Sequence, residues 1–276
     1  MKLPDHVVKK SGTKPGKTVA IFCGVHGNET AGITVVEQLE KELVVEAGTV
    51  YLVHANPSAI AQGVRLVNVN LNRLFLRQDV TTPTYEHHRA AELMDLLDEC
   101  DALLDLHSYP APIAPDKAVP FAICETPAFP IAALFDVPIV VSGFTAAEKG
   151  GSDGYMFTND KIGICVELGA NERPDLFLNL GMNVAQTFLA RFGCIKTIET
   201  SIVRAQKRLE LAKFYKKTSS DFHFVKPFQS FDRLEVSEPI AIENDHVIQA
   251  EESSYIIFPN ETRPIGVEVF ILAREL

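Results

Sequence analysis

The chain has 276 residues, enough to bury a substantial core in one large domain or in a large and a small one. Hydrophobic residues make up 46% and charged residues 22%, the balance of a soluble globular protein, which argues against disorder or low complexity. The formal net charge is −10, and residues 201–276, with ten Lys/Arg against twelve Asp/Glu, hold only −2 of it. A surface of that sign disfavours nucleic acid as a partner, and an anionic ligand would need particular arginines to capture it.

The N-terminal stretch has lysines but no apolar core of a signal peptide, and the longest apolar run, Pro130 to Val141, is interrupted by Asp136 and Pro138. No membrane partner is expected and the predicted location is the cytoplasm. Five cysteines without CxxC spacing (Cys23, Cys100, Cys124, Cys165, Cys194) read as reduced, buried thiols.

In chain order, Thr18 to Gly24 is a β-branched apolar run that reads as a buried strand. His26-Gly27-Asn28-Glu29 follows it and opens a helix with Val36, Leu39 and Leu43 on one face and Asn28 as N-cap. Thr49 to Val53 is a second strand, stopped at Asn56-Pro57. Residues 65–80 are polar and aperiodic, a surface loop. Thr84 to Cys100 is helical, and Ala102 to Leu106 is a strand leading into His107.

Val119 to Cys124 and Pro138 to Val141 are further strands, Gly150 to Asp160 a glycine-rich polar loop, and Ile162 to Leu168 a buried strand. Pro174 to Phe192 is an amphipathic helix closed by Gly193. Alternating strands and helices predict an α/β sheet covered on both faces. Beyond residue 200 come short strands without helices (Leu209–Phe214, Pro239–Ile242, Tyr255–Phe258, Gly266–Leu272), so two domains are expected, 1–200 and a small β-rich 201–276.

Charged and metal-competent side chains gather at strand ends, where open α/β sheets form their crevices. His26 and Glu29 lie three apart at a strand-to-helix turn, and His107 ends another strand. Two imidazoles and one carboxylate with an open fourth position make a catalytic zinc set. Each also has a plainer reading: Glu29 as a first-turn acid favoured by the helix dipole, His26 as a loop residue, His107 as a hydrogen-bonded strand end. Glu167 lies inside an otherwise apolar strand, either salt-bridged or a general base of raised pKa. Arg65 and Arg73 flank a polar loop and offer forks for an anion.

The stretches GVHGNETAG (Gly24 to Gly32), HANP (His54 to Pro57), NLNRLF (Asn70 to Phe75), DLHS (Asp105 to Ser108) and VELG (Val166 to Gly169) occur in one order. In these motifs the sequence resembles the succinylglutamate desuccinylase/aspartoacylase family, over about residues 18–192. The resemblance implies a zinc-carboxypeptidase-like mixed sheet flanked by helices, with a small β-rich C-terminal domain. It implies one Zn2+ per chain held by His26, Glu29 and His107, with Glu167 as general base and Arg65 polarising the scissile carbonyl. Asn72 and Arg73 would hold a substrate carboxylate, and Asp105 is a candidate partner for an imidazole.

The implied activity is hydrolysis of the amide bond of a small anionic N-acyl amino acid. Three features depart from the family pattern. Asn70 replaces an aspartate, and Tyr155 matches a substrate-gripping tyrosine with no arginine after it. The C-terminal stretch from Asn260 to Gly266 (NETRPIG) lacks the family's substrate tyrosine, and its Arg263 reads as a solvated loop arginine rather than an anion-binding residue. His54, His87 and His88 read as structural or solvated. The competing readings are a metallocarboxypeptidase acting on peptides and a non-catalytic metal-binding module; Glu167 and Arg65 together speak against the second.

Overall fold

The computed structural model describes residues 3–111, 113–196 and 205–276. Strands β1 (Val7–Ser11) and β2 (Lys14–Cys23) precede helix α1 (Thr30–Glu42), followed by β3 (Ala47–His54), α2 (Pro57–Gln62) and α3 (Tyr85–Asp98). Next come β4 (Ala102–Tyr109), β5 (Phe121–Ile123), α4 (Phe129–Ala132), β6 (Ile139–Ser142), α5 (Phe144–Ala147), α6 (Ser152–Thr158), β7 (Ile162–Ala170) and α7 (Leu178–Arg191). The remainder is strand: β8 (Lys207–Lys216), β9 (His223–Phe224), β10 (Arg233–Leu234), β11 (Pro239–Glu243), β12 (His246–Gln249), β13 (Ser254–Ile257) and β14 (Glu268–Glu275).

Eleven strands form one mixed sheet in the order β1-β3-β2-β4-β7-β5-β6-β8-β14-β13-β10, and β12-β11-β9 form a second. Strands β3, β2, β4 and β7 are parallel neighbours. The period-2 alternation of β2 decides which helices cover which face. Val19, Ile21 and Cys23 join a core with Val36 and Leu39 of α1 and Val184 and Phe188 of α7. Ala20 and Phe22 join the opposite core, with Leu93 and Leu97 of α3 and Met156 of α6. Among the described residues no helix is long and apolar enough to cross a membrane. All five cysteines are buried free thiols.

From β2 the chain crosses to β3 on one side, while β4 lies on the other side of β2. The carboxyl ends of β2 and β4 therefore border a point where the strand order reverses, a place where open sheets leave a crevice. The strands of 205–276 do not stand apart from this sheet. β8 runs parallel to β6, and β14, β13 and β10 continue outward from it. The expected boundary at residue 200 falls outside the described residues.

Several local expectations are revised. The stretch Gly150 to Asp160 is not a loop throughout: Ser152–Thr158 form α6, because Tyr155 and Met156 bury against the sheet and tertiary packing outweighs three glycines. The N-cap of α1 is Glu29, not Asn28. Strand β1 and helix α2 carry too weak a periodicity to have been read from sequence. His87 is not merely solvated, since its Nδ1 accepts the Thr84 N–H at 3.1 Å at the start of α3.

Candidate metal centre and substrate pocket

Backbone geometry brings the three candidate ligands together. On β4, residues 103, 105 and 107 share one face, and Asp105 and His107 turn toward the end of the sheet where β2 gives way to the His26–Glu29 turn. His107 pairs in register with Glu167 on β7, so a ligand candidate and the buried acid stand on adjacent strands. The turn itself is tight. A Cβ on Gly27 would lie 2.1 Å from the carbonyl carbon of Ala59, so only glycine lets the chain pass there.

Glu29, although the N-cap residue, makes no capping bond with its side chain. Its carboxylate lies between the imidazoles instead, with Oε1 2.8 Å from His26 Nδ1 and Oε2 2.9 Å from His107 Nδ1. One ligand atom from each of the three residues lies within 4.8 Å of the others, and all three residues are buried. The outer nitrogens face oxygen, His26 Nε2 in a hydrogen bond and His107 Nε2 in an ion-pair contact. Asn70 Oδ1 accepts the Asn72 N–H at 3.0 Å, which identifies it as the oxygen, and His26 Nε2 is 3.0 Å away and must donate to it. His107 Nε2 lies 3.2 Å from Asp105 Oδ2, whose carboxylate also accepts a short bond from Ser152 Oγ. With Nε2 donating to Asn70, His26 directs its Nδ1 lone pair inward beside the Glu29 carboxylate, and His107 Nδ1 faces the same point, a donor set suited to a small divalent cation once His107 gives up its proton.

The electrostatics agree. Burial opposes the charged form of Glu29, yet His26 and then His107 outweigh it and hold the carboxyl well below its usual range. Burial pulls His26 down, while on His107 the Asp105 and Glu29 carboxylates overcome burial and raise it well above the usual imidazole value. Burial pushes the Glu167 carboxyl up to about 8, against the opposing pull of His107, and the Glu29 charge adds to the rise. Glu167 Oε2 has no hydrogen-bond partner among the described residues. A buried carboxyl of raised pKa without a partner is a poor structural residue and an apt proton acceptor.

A cavity of about 110 Å³ opens over this cluster, lined by His26, Glu29, His107, Glu167, Arg65, Asn72 and Arg73 among others. Arg65 donates from Nη1 to Glu29 Oε1 at 2.9 Å. Arg73 forms an ion pair with Glu148 and donates to the Asn72 carbonyl at 2.7 Å. Asn72 Oδ1 accepts the Ser152 N–H at 3.1 Å, tying the arginine loop to α6. Gly150, at φ +89°, packs on the Arg73 backbone, where a Cβ would approach its carbonyl oxygen to 2.4 Å.

Tyr155 is not brought to the pocket. It faces the core between α3 and the sheet, and its hydroxyl donates to Asp98 at 2.6 Å. Helical phase decides this: α6 turns Asp153 to the pocket and Tyr155 to the core. His54 lies outside the cavity lining, 3.1 Å from Glu40. Sequence reasoning missed Asp153, Glu148 and Glu268, which also line the cavity. None stands in a recognisable motif, and only the folding of α6 and the arrival of β14 beside the pocket place them there.

The model of the succinylglutamate desuccinylase/aspartoacylase catalytic domain matches residues 15–190, well over half of the chain. A succinylglutamate desuccinylase of Shewanella baltica is 26% identical, over 94% of this chain and 83% of that one. Among solved structures, a succinylglutamate desuccinylase of Vibrio parahaemolyticus superposes with TM-score 0.81 at 20% identity, over 98% of this chain and 86% of that one. The product-bound ectoine utilization protein of Ruegeria pomeroyi gives 0.74 at 20% identity, over 97% and 87% of the two chains. The match over residues 15–190 spans every residue of the His26–Glu29–His107 cluster and Glu167, and the chain belongs to the succinylglutamate desuccinylase/aspartoacylase family.

Proposed function

We propose that this protein is a zinc-dependent amidohydrolase that cleaves the amide bond of a small anionic N-acyl amino acid, with a zinc-carboxypeptidase-like catalytic unit (1–200) and a β-rich C-terminal unit (201–276). The observation that carries the reading is the pairing of two inward-facing Nδ1 atoms and the Glu29 carboxylate with an unpartnered, buried Glu167 on the adjacent strand. His26, Glu29 and His107 would hold one ion. The small cavity and its arginines support a short anionic substrate.

A bound zinc supplies Lewis acidity, lowering the pKa of a water toward neutrality and polarising a carbonyl. The chain's own residues do the rest. Glu167 accepts the proton of the attacking water and returns it to the departing amine nitrogen, so the amide C–N bond breaks and a carboxylate and a free amine leave. Arg65, at the mouth of the cluster, swings from Glu29 to the carbonyl oxygen and meets the charge that develops there. Asn72 and Arg73 hold a substrate carboxylate in line, and the walls of the cavity exclude bulk water.

The test is a panel of N-acetyl and N-succinyl amino acids with dipeptides as controls, run on protein of measured metal content. Hydrolysis of an acyl amino acid by the wild type, with Glu167→Gln inactive but still metal-loaded, is the expected result. Metal-loaded protein that cleaves no acyl amino acid refutes the activity, and an active Glu167→Gln refutes the base.

A further inference from the structure

The chain that carries Arg65 is exposed from Gln62 to Arg65 and again at Asn68, and no helix or strand forms between α2 and the turn Leu71–Arg73. Backbone amides in such a stretch are ordinarily answered by water. Two of them are answered from beneath. Glu86, in the first turn of α3, is fully buried, and its Oε1 accepts the Val67 N–H at 2.7 Å and the Asn68 N–H at 3.1 Å. Oε2 faces the Asn68 N–H as well, at 3.3 Å. Burying a carboxylate is costly, and amide donors together with the positive end of a helix compensate it here. Hydrogen bonds to an ionised acceptor are about twice as strong as neutral ones, so the clamp is firm.

The two clamped amides lie between Arg65 and Asn70. Beyond them the loop has anchors of its own: Asn70 takes His26 Nε2, Leu71 is fully buried, and Asn72 holds the Ser152 N–H. Before them the support is thinner. From Arg65 to Asn68 the backbone ties among the described residues are the Glu86 carboxylate and a long bond from the Gly27 N–H to the Arg65 carbonyl, at 3.3 Å. The Arg65 side chain is itself 42% exposed and reaches Glu29 from this stretch. A guanidinium that must move from Glu29 to a reacting carbonyl needs a fixed backbone to pivot on, and Glu86 supplies it.

We infer that Glu86 is a positioning residue for Arg65: from α3 it fixes the backbone on which that guanidinium swings, and so acts on the reaction without touching substrate or metal. The inference rests on the proposed amidohydrolase reading for the chemistry Arg65 serves, while the clamp belongs to the fold whatever the substrate. In Glu86→Gln the charge is lost, and an NH2 group, a donor only, stands where an oxygen faced the Asn68 N–H. A catalytic group displaced by about 1 Å costs about a hundredfold in rate. The same device occurs away from the pocket, which provides a control. Glu243 of β11 is buried, accepts the Thr218 and Ser219 N–H groups at 2.7 and 2.9 Å, and lies outside the cavity lining.

The test uses the full-length, metal-loaded chain with the N-acyl amino acid it hydrolyses best. Glu86→Gln should lower kcat/KM about 10–100-fold, chiefly through kcat, because Arg65 meets charge that develops in the transition state. Zinc affinity should stay within about threefold of wild type, since the ligands keep their own partners. Glu86→Asp keeps the charge at shorter reach and should recover part of the loss. Glu243→Gln breaks the matching clamp and should lower the melting temperature with kcat/KM little changed. In an Arg65→Ala background Glu86→Gln should cost no more than about twofold, because nothing is left to position. A further arm needs no turnover: the Val67 and Asn68 amides should exchange with deuterium about tenfold faster or more in Glu86→Gln.

A kcat/KM for Glu86→Gln within about threefold of wild type, a fall matched by Glu243→Gln, or an undiminished effect beside Arg65→Ala overturns the positioning role. Unchanged exchange at Val67 and Asn68 overturns the clamp. A wild type that hydrolyses no acyl amino acid overturns the amidohydrolase reading instead, and the exchange arm then decides Glu86 by itself.

Discussion

Asp105→Ala tests whether the imidazole geometry around the metal cluster is imposed by the fold. Asp105 is fully buried, its Oδ2 lies 3.2 Å from His107 Nε2, and its carboxylate accepts from Ser152 Oγ. Removing it frees the His107 ring to rotate or to change tautomer, so that Nδ1 no longer points steadily at the Glu29 side. Losing such an outer partner costs about 10–100-fold in metal affinity, or about 1.4–2.7 kcal/mol. One buried donor, Ser152 Oγ–H, also loses its acceptor, at about 1–3 kcal/mol, and His107 loses the carboxylate beside its Nε2.

Part of that second cost is returned, because Asp105 Oδ1 itself has no partner among the described residues and its desolvation is relieved in the variant. Metal affinity should therefore suffer more than the stability of the metal-free fold. Zinc competition with a chromophoric chelator and urea unfolding of the metal-free protein measure the two separately. Ser152→Ala, which removes one bond and leaves the carboxylate, should weaken zinc by less than about tenfold. Zinc affinity within about threefold of wild type in a folded Asp105→Ala would show that His107 is oriented by something else.

Other perturbations follow from the same structure. The Glu167 carboxyl, raised to about 8 by burial above all, must be deprotonated to act as a base, so kcat/KM should climb with pH up to a midpoint at or below that value, because a bound cation draws the midpoint down; a limb that rises only above it would contradict the assignment. The same shift means that the folded, metal-free chain binds a proton more tightly than the unfolded one, so stability from this group is greatest at acid pH and is lost as pH rises toward 8. Glu167→Gln should flatten the metal-free melting temperature across that window. Gly27→Ala puts a Cβ 2.1 Å from the Ala59 carbonyl carbon and should displace the His26–Glu29 turn, read as lost zinc binding together with a lower melting temperature. Phe121→Ala empties a fully buried position beside Tyr109, Phe231 and Phe258 and should cost about 3–5 kcal/mol in urea unfolding.

The parts of this protein that depend on local chemistry are written in the order of its residues. Apolar β-branched runs define β2, β4 and β7, and a two-residue period on each strand then puts Asp105 and His107 on one face and Glu167 beside them. The HxxE turn after β2 and the histidine at the end of β4 need only the fact that neighbouring parallel strands end together. The parts that depend on partners distant in sequence are not. That Asn70 fixes the His26 tautomer follows from a contact across 44 positions, and that Ser152 supports Asp105 follows from one across 47. Tyr155 shows the difference at a single residue: its place in a motif suggested the pocket, but the helical phase of α6, decided by which side chains could bury, turned it to Asp98.

The amino-acid order by itself determined the sheet-building strands, the metal-competent trio and the buried acid, because each is specified by burial periodicity and residue type within a few positions. The tertiary structure alone decided which oxygens stand beside the imidazoles, which pocket arginines are paired, and that Arg263 faces the pocket with no hydrogen bond or ion pair among the described residues. Those outcomes depend on loops closing over a core from far along the chain, and no local pattern encodes where a loop's side chains meet.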